Sequence, residues 1–271
     1  MKLGHRILHL SLLVSSIIGV FSVTSSALHA ATQQKGPEIS DDASAALLRM
    51  GQTLRAEQFS FQVQTIRNYA DTNGQPLHIF HKMKVVVRRP NRLTVDVTGD
   101  DGARKLVFDG KTAILYLAAE NKYATVPVPE GTIEAMMKEV MGRLGVDFPL
   151  ADLLTEAPNK AFLTGVTSGR VVNTVTIDGS PYLHLFFSQP PGIELELWLG
   201  QNDQSLPRRL IVTYRNVAGQ PNFIALFSDW DFSIHPSDAD FTFQQPADAT
   251  QMQLKPPATA APPTKAKGGK P

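Results

Sequence analysis

Phe59-Ser60-Phe61-Gln62-Val63-Gln64 alternates large apolar with polar residues; Asn73-Gly74 follows, and Leu77, Ile79, Met83, Val85 and Val87 recur on odd positions after it. Alternation with period two marks a strand buried on one face. Asn-Gly between two such runs is the strongest short-range hairpin signal. The stretch therefore predicts two long antiparallel strands that share one apolar face. Outward from it, Arg89-Pro90-Asn91 ends the return strand and Leu93, Val95 and Val97 mark the next. Turns at Asp100-Asp101-Gly102 and Asp109-Gly110 separate shorter strands through Val107 to Leu117 and Tyr123 to Val128. Later strands are expected at 160–166, 170–177, 182–189, 193–199, 208–215 and 222–233.

One helical segment precedes this meander and a second interrupts it. The first is expected from Asp41 to Glu57, with Ser40 as N-cap, Asp41 and Asp42 at the positive end of the helix dipole, and Ala43, Leu47, Met50 and Leu54 as its apolar stripe. The second places Ile133, Met136, Met137, Val140, Met141 and Leu144 on one helical face. Pro149 to Leu154 reads as a further helical turn or two. Strands and helices do not alternate, which excludes a parallel doubly wound sheet. The fold class expected is mainly β (α+β): an antiparallel sheet of about eleven strands with two or three helices on one face. So many strands curl rather than lie flat, and a sheet curled around few helices leaves an apolar cavity beneath them.

The ends of the chain read differently. Lys2 and Arg6 precede an apolar run from Ile7 to Val23, and Ser25 to Ala31 are small or polar. That order is a secretory signal peptide, residues 1–30, with cleavage after Ala27 or Ala30. The run is interrupted by Ser11, Ser15, Ser16 and Ser22 and falls short of the ~20 apolar residues of a membrane span. A polar lead-in over 31–39, one domain over 40–247 and a Pro/Ala/Lys tail over 248–271 complete the expected organisation; the tail has too little apolar surface to order itself. Cysteine is absent, so no disulfide holds the fold and no lipidated N-terminal cysteine is expected. The chain carries 26 basic and 25 acidic residues. Setting aside Lys2, Arg6 and the tail lysines leaves a mildly acidic body, which disfavours nucleic acid as a partner.

Catalytic motifs are lacking. Asp109-Gly110-Lys111-Thr112 ends like a phosphate-binding loop, but Lys105 stands where that motif needs glycine, and a strand follows instead of a helix. No G-x-S-x-G, H-E-x-x-H or cysteine nucleophile occurs. His78 and His81 are three apart on a strand and so point to opposite faces; His81 falls on the apolar face as a satisfied or partly buried residue. Glu194 with Glu196, and Asp229 with Asp231, have same-face spacing, yet Ile193, Leu195, Leu197 and Leu199 take the other face and leave the glutamates to water. Arg88, Arg89 and Arg92 cluster at a turn, which on composition alone is a solvated loop. Methionines on the second helix suit either core filling or contact with variable apolar ligands.

Phe59-Ser60-Phe61 after the first helix, Arg88-Arg89-Pro90-Asn91-Arg92-Leu93, Phe108-Asp109-Gly110-Lys111-Thr112 and the closing Phe241-Thr242-Phe243-Gln244-Gln245-Pro246 come in an order that resembles the LolA/LolB superfamily of periplasmic lipoprotein carriers. Within it the chain is most similar to a branch known only as predicted periplasmic proteins. The resemblance implies an incomplete β-barrel with helices as a lid over a cavity for acyl chains. It also implies that Arg89 faces that cavity and bonds to the lid. The chain departs from the superfamily in lacking the anchoring cysteine of some members and the strand tryptophans of the carriers, since Trp198 and Trp230 both come late. Some superfamily members sense or regulate rather than carry.

The expected function is a soluble, non-enzymatic periplasmic binding or carrier protein for acyl chains, taking a lipid or the lipid of an acylated protein. It needs no cofactor and no metal, and is expected to be a monomer in transient contact with membranes. The alternative is an interaction or regulatory module that binds another envelope protein and has a filled interior. Candidate cavity walls are Phe61, Val63, Ile79, Met83, Val85, Leu93 and Val95, with Arg89 at the turn; Met136, Met137, Val140 and Leu144 are the candidate lid. The wall assignment rests on alternation, and a slip of one residue would invert it.

Overall fold

The computed structural model describes residues 38–144 and 148–252. The expected signal peptide and most of the expected tail lie outside the described residues. Helix α1 (Asp41–Leu54) comes first, and the Ser40 side chain accepts the Ala43 N–H at its start. It ends before Glu57 because Arg55 caps it and Ala56 N–H turns back to the Thr53 carbonyl. The predicted hairpin follows as β1 (Gln58–Ala70) and β2 (Pro76–Arg88), with Gly74 at φ +79° in its turn. Next come β3 (Arg92–Gly99), β4 (Arg104–Phe108), β5 (Thr112–Leu117) and β6 (Lys122–Pro127). Helix α2 (Ile133–Leu144), a 3-10 turn (Ala151–Leu154) and α3 (Pro158–Phe162) then precede a second meander. That meander is β7 (Ser168–Ile177), β8 (Ser180–Gln189), β9 (Ile193–Gly200), β10 (Pro207–Tyr214) and β11 (Asn222–Asp231).

These strands form a single sheet in the order β12-β6-β5-β4-β3-β2-β1-β11-β10-β9-β8-β7, where β12 is Thr250–Gln251. Its two end strands do not pair with each other, so the barrel is incomplete, as the resemblance implied. Two expectations need correction. Residues 160–166 are not a strand: Pro158 opens the short helix α3 and, with Phe162 one turn later, is buried in the core. The i, i+4 spacing of those two residues outweighs the local run of apolar residues. The sheet is also not wholly antiparallel, since β12 pairs with β6 in parallel.

Cross-strand register explains what the apolar alternation achieves. Phe59 lies opposite Val87, which faces Leu93, then Phe108, Ala113 and Val126 across β1 to β6. This row is fully buried. The next row runs through Phe61, Val85 and Val95 to Leu106 and Leu115. On β11 a bulge opposite β1 breaks the alternation and brings Trp230 onto the inner face, where its ring stacks on Phe61 at 4.4 Å between centroids. The helices fill the concave side: α1 buries Ala43, Leu47, Met50 and Leu54, and packs so closely on α3 that a Cβ on Gly51 would collide with Asn159.

The C-terminal segment crosses the outer face. Arg88 donates to the Pro236 carbonyl and lies over the Phe241 ring, while the Thr94 hydroxyl donates to the Asp240 carbonyl. Phe243 then meets Tyr116 and Tyr123. Both faces of β2 to β6 are thus covered over part of their length.

Phe61 sits where the two rows, Trp230 and Phe227 converge. Phe61→Ala is expected to cost about 3–5 kcal/mol of stability, read as a lowered urea midpoint with an unchanged m-value.

Candidate functional site

The rows on the concave face do not stay filled along the strands. Towards the Arg89 turn the face is solid. Towards the β1–β2 hairpin it opens into a cavity of about 440 Å³, within the range of about 300–1,000 Å³ typical of small-molecule sites. Its inner walls are Met83, Val95 and Val97 with Leu106, Leu115 and Leu117, odd- and even-numbered residues brought to one face by the turns between β3, β4 and β5. Its roof is Met137, Val140 and Met141 of α2, with Phe148 and Pro149 beyond the helix. Phe223 of β11 closes the far side.

The candidate residues divide between these two regions. Ile79, Met83, Val95, Met137 and Val140 line the cavity. Phe61, Val63, Val85, Leu93 and Met136 share the same inward face but are buried in the closed end of the core. Leu144 ends α2, and its side chain lies outside the described residues. Leu106, Leu115, Leu117, Phe148 and Phe223 were not among the candidates. The first three sit on strands too short for alternation to be read with weight, and Phe148 follows the helix.

Arg89 stands at the closed end and does not line the cavity. Its Nη1 donates to the Leu154 carbonyl at 2.8 Å and its Nη2 to the Leu54 carbonyl at 3.0 Å. One guanidinium therefore ties the ends of the 3-10 turn and of α1 to the sheet, above the Phe59 ring. Burial pulls its pKa below the usual value, against the raising influence of Glu156 and Glu134. Its Nε is buried without a hydrogen-bond partner among the described residues. The helical cover is closed on itself too, because Glu134 of α2 accepts the Glu156 N–H at 2.7 Å.

The other end is polar. Thr65 and His81 face each other across β1 and β2, and Arg67 lies opposite Ile79 one step further out. His81 Nε2 is 2.7 Å from Asp101 Oδ1, and Arg104 pairs with the other Asp101 oxygen. The imidazole can lie flat on the sheet because residue 99 is glycine: a Cβ there would run into the His81 ring and the Phe80 carbonyl. Partial burial would raise the Asp101 carboxyl, but the hydrogen bonds from Arg104 and His81 outweigh it and hold the group below the ordinary carboxylate range. Beyond the mouth β1 and β2 outrun their neighbours, since β11 pairs only as far as Arg67 and β3 only as far as His81. The hairpin arm so formed exposes Tyr69, Leu77 and Phe80, and its tip is fixed by Asp71, whose carboxylate accepts the Asn73 and Gln75 N–H groups.

The carboxylate pairs do not converge on a cleft. Glu196 meets His184 at 2.8 Å and Glu194 lies 3.6 Å from Arg215. The bulge in β11 separates the other pair: Asp229 borders a second hollow of about 310 Å³ beside Trp230, while Asp231 accepts the Ser233 N–H and hydroxyl. Among the described residues no cluster of three or more His, Cys, Asp or Glu could hold a metal.

Residues 43–255 match the model of the family described as predicted periplasmic protein (DUF2092). No curated protein matches the chain. Among solved structures it is similar to an uncharacterized conserved protein from Thermus thermophilus, at 12% identity and a TM-score of 0.46, covering 78% of this chain and 98% of that one. It is similar to LprF from Mycobacterium bovis at 13% identity and a TM-score of 0.45, covering 74% and 99%. It is also similar to the LolA superfamily protein NE2245 from Nitrosomonas europaea at 13% identity and a TM-score of 0.37, covering 74% and 97%.

Each end of the site can be perturbed separately. Arg89→Lys can reach only one of the two carbonyls, so amide exchange should speed up in residues 148–162 while β1 to β3 stay protected. Asp101→Asn should lower stability at neutral pH. A depressed native pKa stabilises above the unfolded value and is lost as pH falls through the native one, so the gap to the parent should close on acidification below the carboxylate range.

Proposed function

We propose that this chain, which belongs to the family of predicted periplasmic proteins, is a soluble periplasmic carrier that holds one acyl chain in the cavity under α2. The observation that carries this reading is the cavity itself: about 440 Å³ of mostly apolar space left open in a molecule whose neighbouring rows are packed solid. Interiors ordinarily fill to crystal-like density, so space of this size is a site more readily than a packing fault. Its long dimension also suits the proposed cargo. Between Met83 and Ile79, the residues of β2 that bound the cavity, the strand covers about 14 Å at ~3.4 Å per residue, and half a bilayer core, the reach of one membrane acyl chain, is about 15 Å.

Affinity would come from transfer of methylenes out of water, at ~0.8 kcal/mol each. Methionine supplies the roof at Met137 and Met141 and part of the wall at Met83. Its flexible, polarizable side chain adapts to chains of differing length and unsaturation. The proposed cycle needs no catalytic group: the chain enters past Ile79, and the exposed Tyr69, Leu77 and Phe80 of the hairpin arm offer apolar surface beside the entrance. Among the described residues no helix is long and apolar enough to cross a membrane. The interaction-module reading supposed a filled interior, and the open cavity favours the carrier.

Val97→Trp places an indole in the cavity with little else to disturb. It should abolish fluorescence enhancement of a naphthylamine probe while leaving the thermal midpoint within a few degrees. Mass spectrometry of protein purified without detergent should recover bound acyl lipid from the parent and none from Val97→Trp. Absence of lipid and of probe binding in the well-folded parent would contradict the carrier.

A further inference from the structure

An acyl chain alone does not account for the polar end of the cavity. A pocket that takes only hydrocarbon has no use for titratable groups at its rim, because each costs free energy to shield from water. Here Thr65, 2% exposed, lines the cavity beside His81. A hydroxyl on a cavity wall can both donate to and accept from a polar group of a ligand.

The charges around it have a definite sign. Arg67, His81, Asp101 and Arg104 all line this end of the cavity. Among the described lining residues the carboxylate is that of Asp101, already held by His81 and Arg104, and two guanidiniums stand beside it. Asp100, its neighbour in the turn, accepts the Phe80 N–H and does not line the cavity. Arg104 engages Asp101 through Nη2, leaving the Nε and Nη1 donors without a partner among the described residues. Arg67 is held over the Phe223 ring at 5.6 Å, at the rim rather than in bulk solvent. Planar guanidiniums held by packing are the groups that recognise carboxylate and phosphate with directional hydrogen bonds.

We infer that the mouth is a head-group site for a single anionic group, carboxylate or phosphate, carried by the same amphiphile whose tail fills the cavity. Arg104 and Arg67 supply the charge, and Thr65 and His81 supply the remaining polar contacts. This rests on the carrier reading and narrows its cargo to single-chain anionic amphiphiles. The register makes the arrangement geometrically direct: the polar row Thr65–His81 borders Met83 and Val97, so a head at the mouth leaves its tail pointing at Val95 and Leu106.

The test uses the purified, delipidated protein at low salt and three probes with the same tail: palmitate, hexadecyl phosphate and hexadecanol, each at concentrations where it is monomeric. Charge-assisted hydrogen bonds predict that at least one anionic probe binds about tenfold tighter than the alcohol or better. The tighter of the two anions identifies the head-group chemistry. In Arg67→Gln/Arg104→Gln the anionic probes should fall to the affinity of hexadecanol, while hexadecanol itself binds as it does to the parent, which also shows that the variant is folded. Equal binding of all three probes to the parent, or equal loss of all three in the variant, overturns the head-group site and leaves the carrier standing. Failure of hexadecanol and both anions to bind the parent overturns the carrier reading and this one with it.

Discussion

The register between β1 and β2 is the constraint on which the rest of the molecule depends. With Phe61 opposite Val85 and Val63 opposite Met83, the odd residues from Phe59 to Thr65 on β1 and from His81 to Val87 on β2 share the inner face. A slip of one residue would put Lys82 and Lys84 under the helices and expel Met83 and Val85 to solvent, so the pairing is strongly specified. The same register carries through β3 to β6 and, from β1, into β11. It decides which side chains meet Met136 and Met137, and it sets the order of environments along the strands. Arg89 and Phe59 lie at one end, the Thr65–His81 row at the other, and the apolar cavity between them.

That order is a gradient of packing. At the closed end aromatic rings fill the space, with Phe59, Phe61, Phe227, Trp230 and Phe232 in mutual contact. Moving towards the hairpin, phenylalanines give way to valine, methionine and leucine, and α2 no longer reaches the sheet closely enough to fill the gap. The helices are held at the closed end by the Arg89 guanidinium, a single side chain with two carbonyl partners. Stability and proposed function are therefore separated along one face: the rings and Arg89 hold the fold, and the space beyond them is free to hold something else.

Much of this is legible in the sequence, for a physical reason. Long half-buried strands write their facing into the sequence with period two, and α2 shows its buried stripe from Ile133 onwards; both stand where expected. Local patterning fails where a tertiary feature intervenes. Ala161, Phe162 and Leu163 read as strand, yet Pro158 and Phe162 are buried one helical turn apart. The pair Asp229 and Asp231 looks like one face until the bulge turns Trp230 inward. Arg67 and Arg104 carry no local signal, because each merely ends an alternation; only the register across β2 and β3 brings them to the same mouth. The cavity walls are readable in kind but not in extent, since alternation tells which face a residue takes and not whether anything touches it there.

The central claim is that an acyl chain occupies the space bounded by Met83, Met137 and Met141, and the methionines themselves provide the most direct reading. Protein labelled at the methionine methyls can be titrated with a uniformly labelled fatty acid and followed by intermolecular nuclear Overhauser effects. The account predicts contacts from the chain to Met83, Met137 and Met141, with Met50 and Met136 silent because both are fully buried in the packed core. Contacts to Met50 or Met136, or none to the three cavity methionines at saturating ligand, would contradict it.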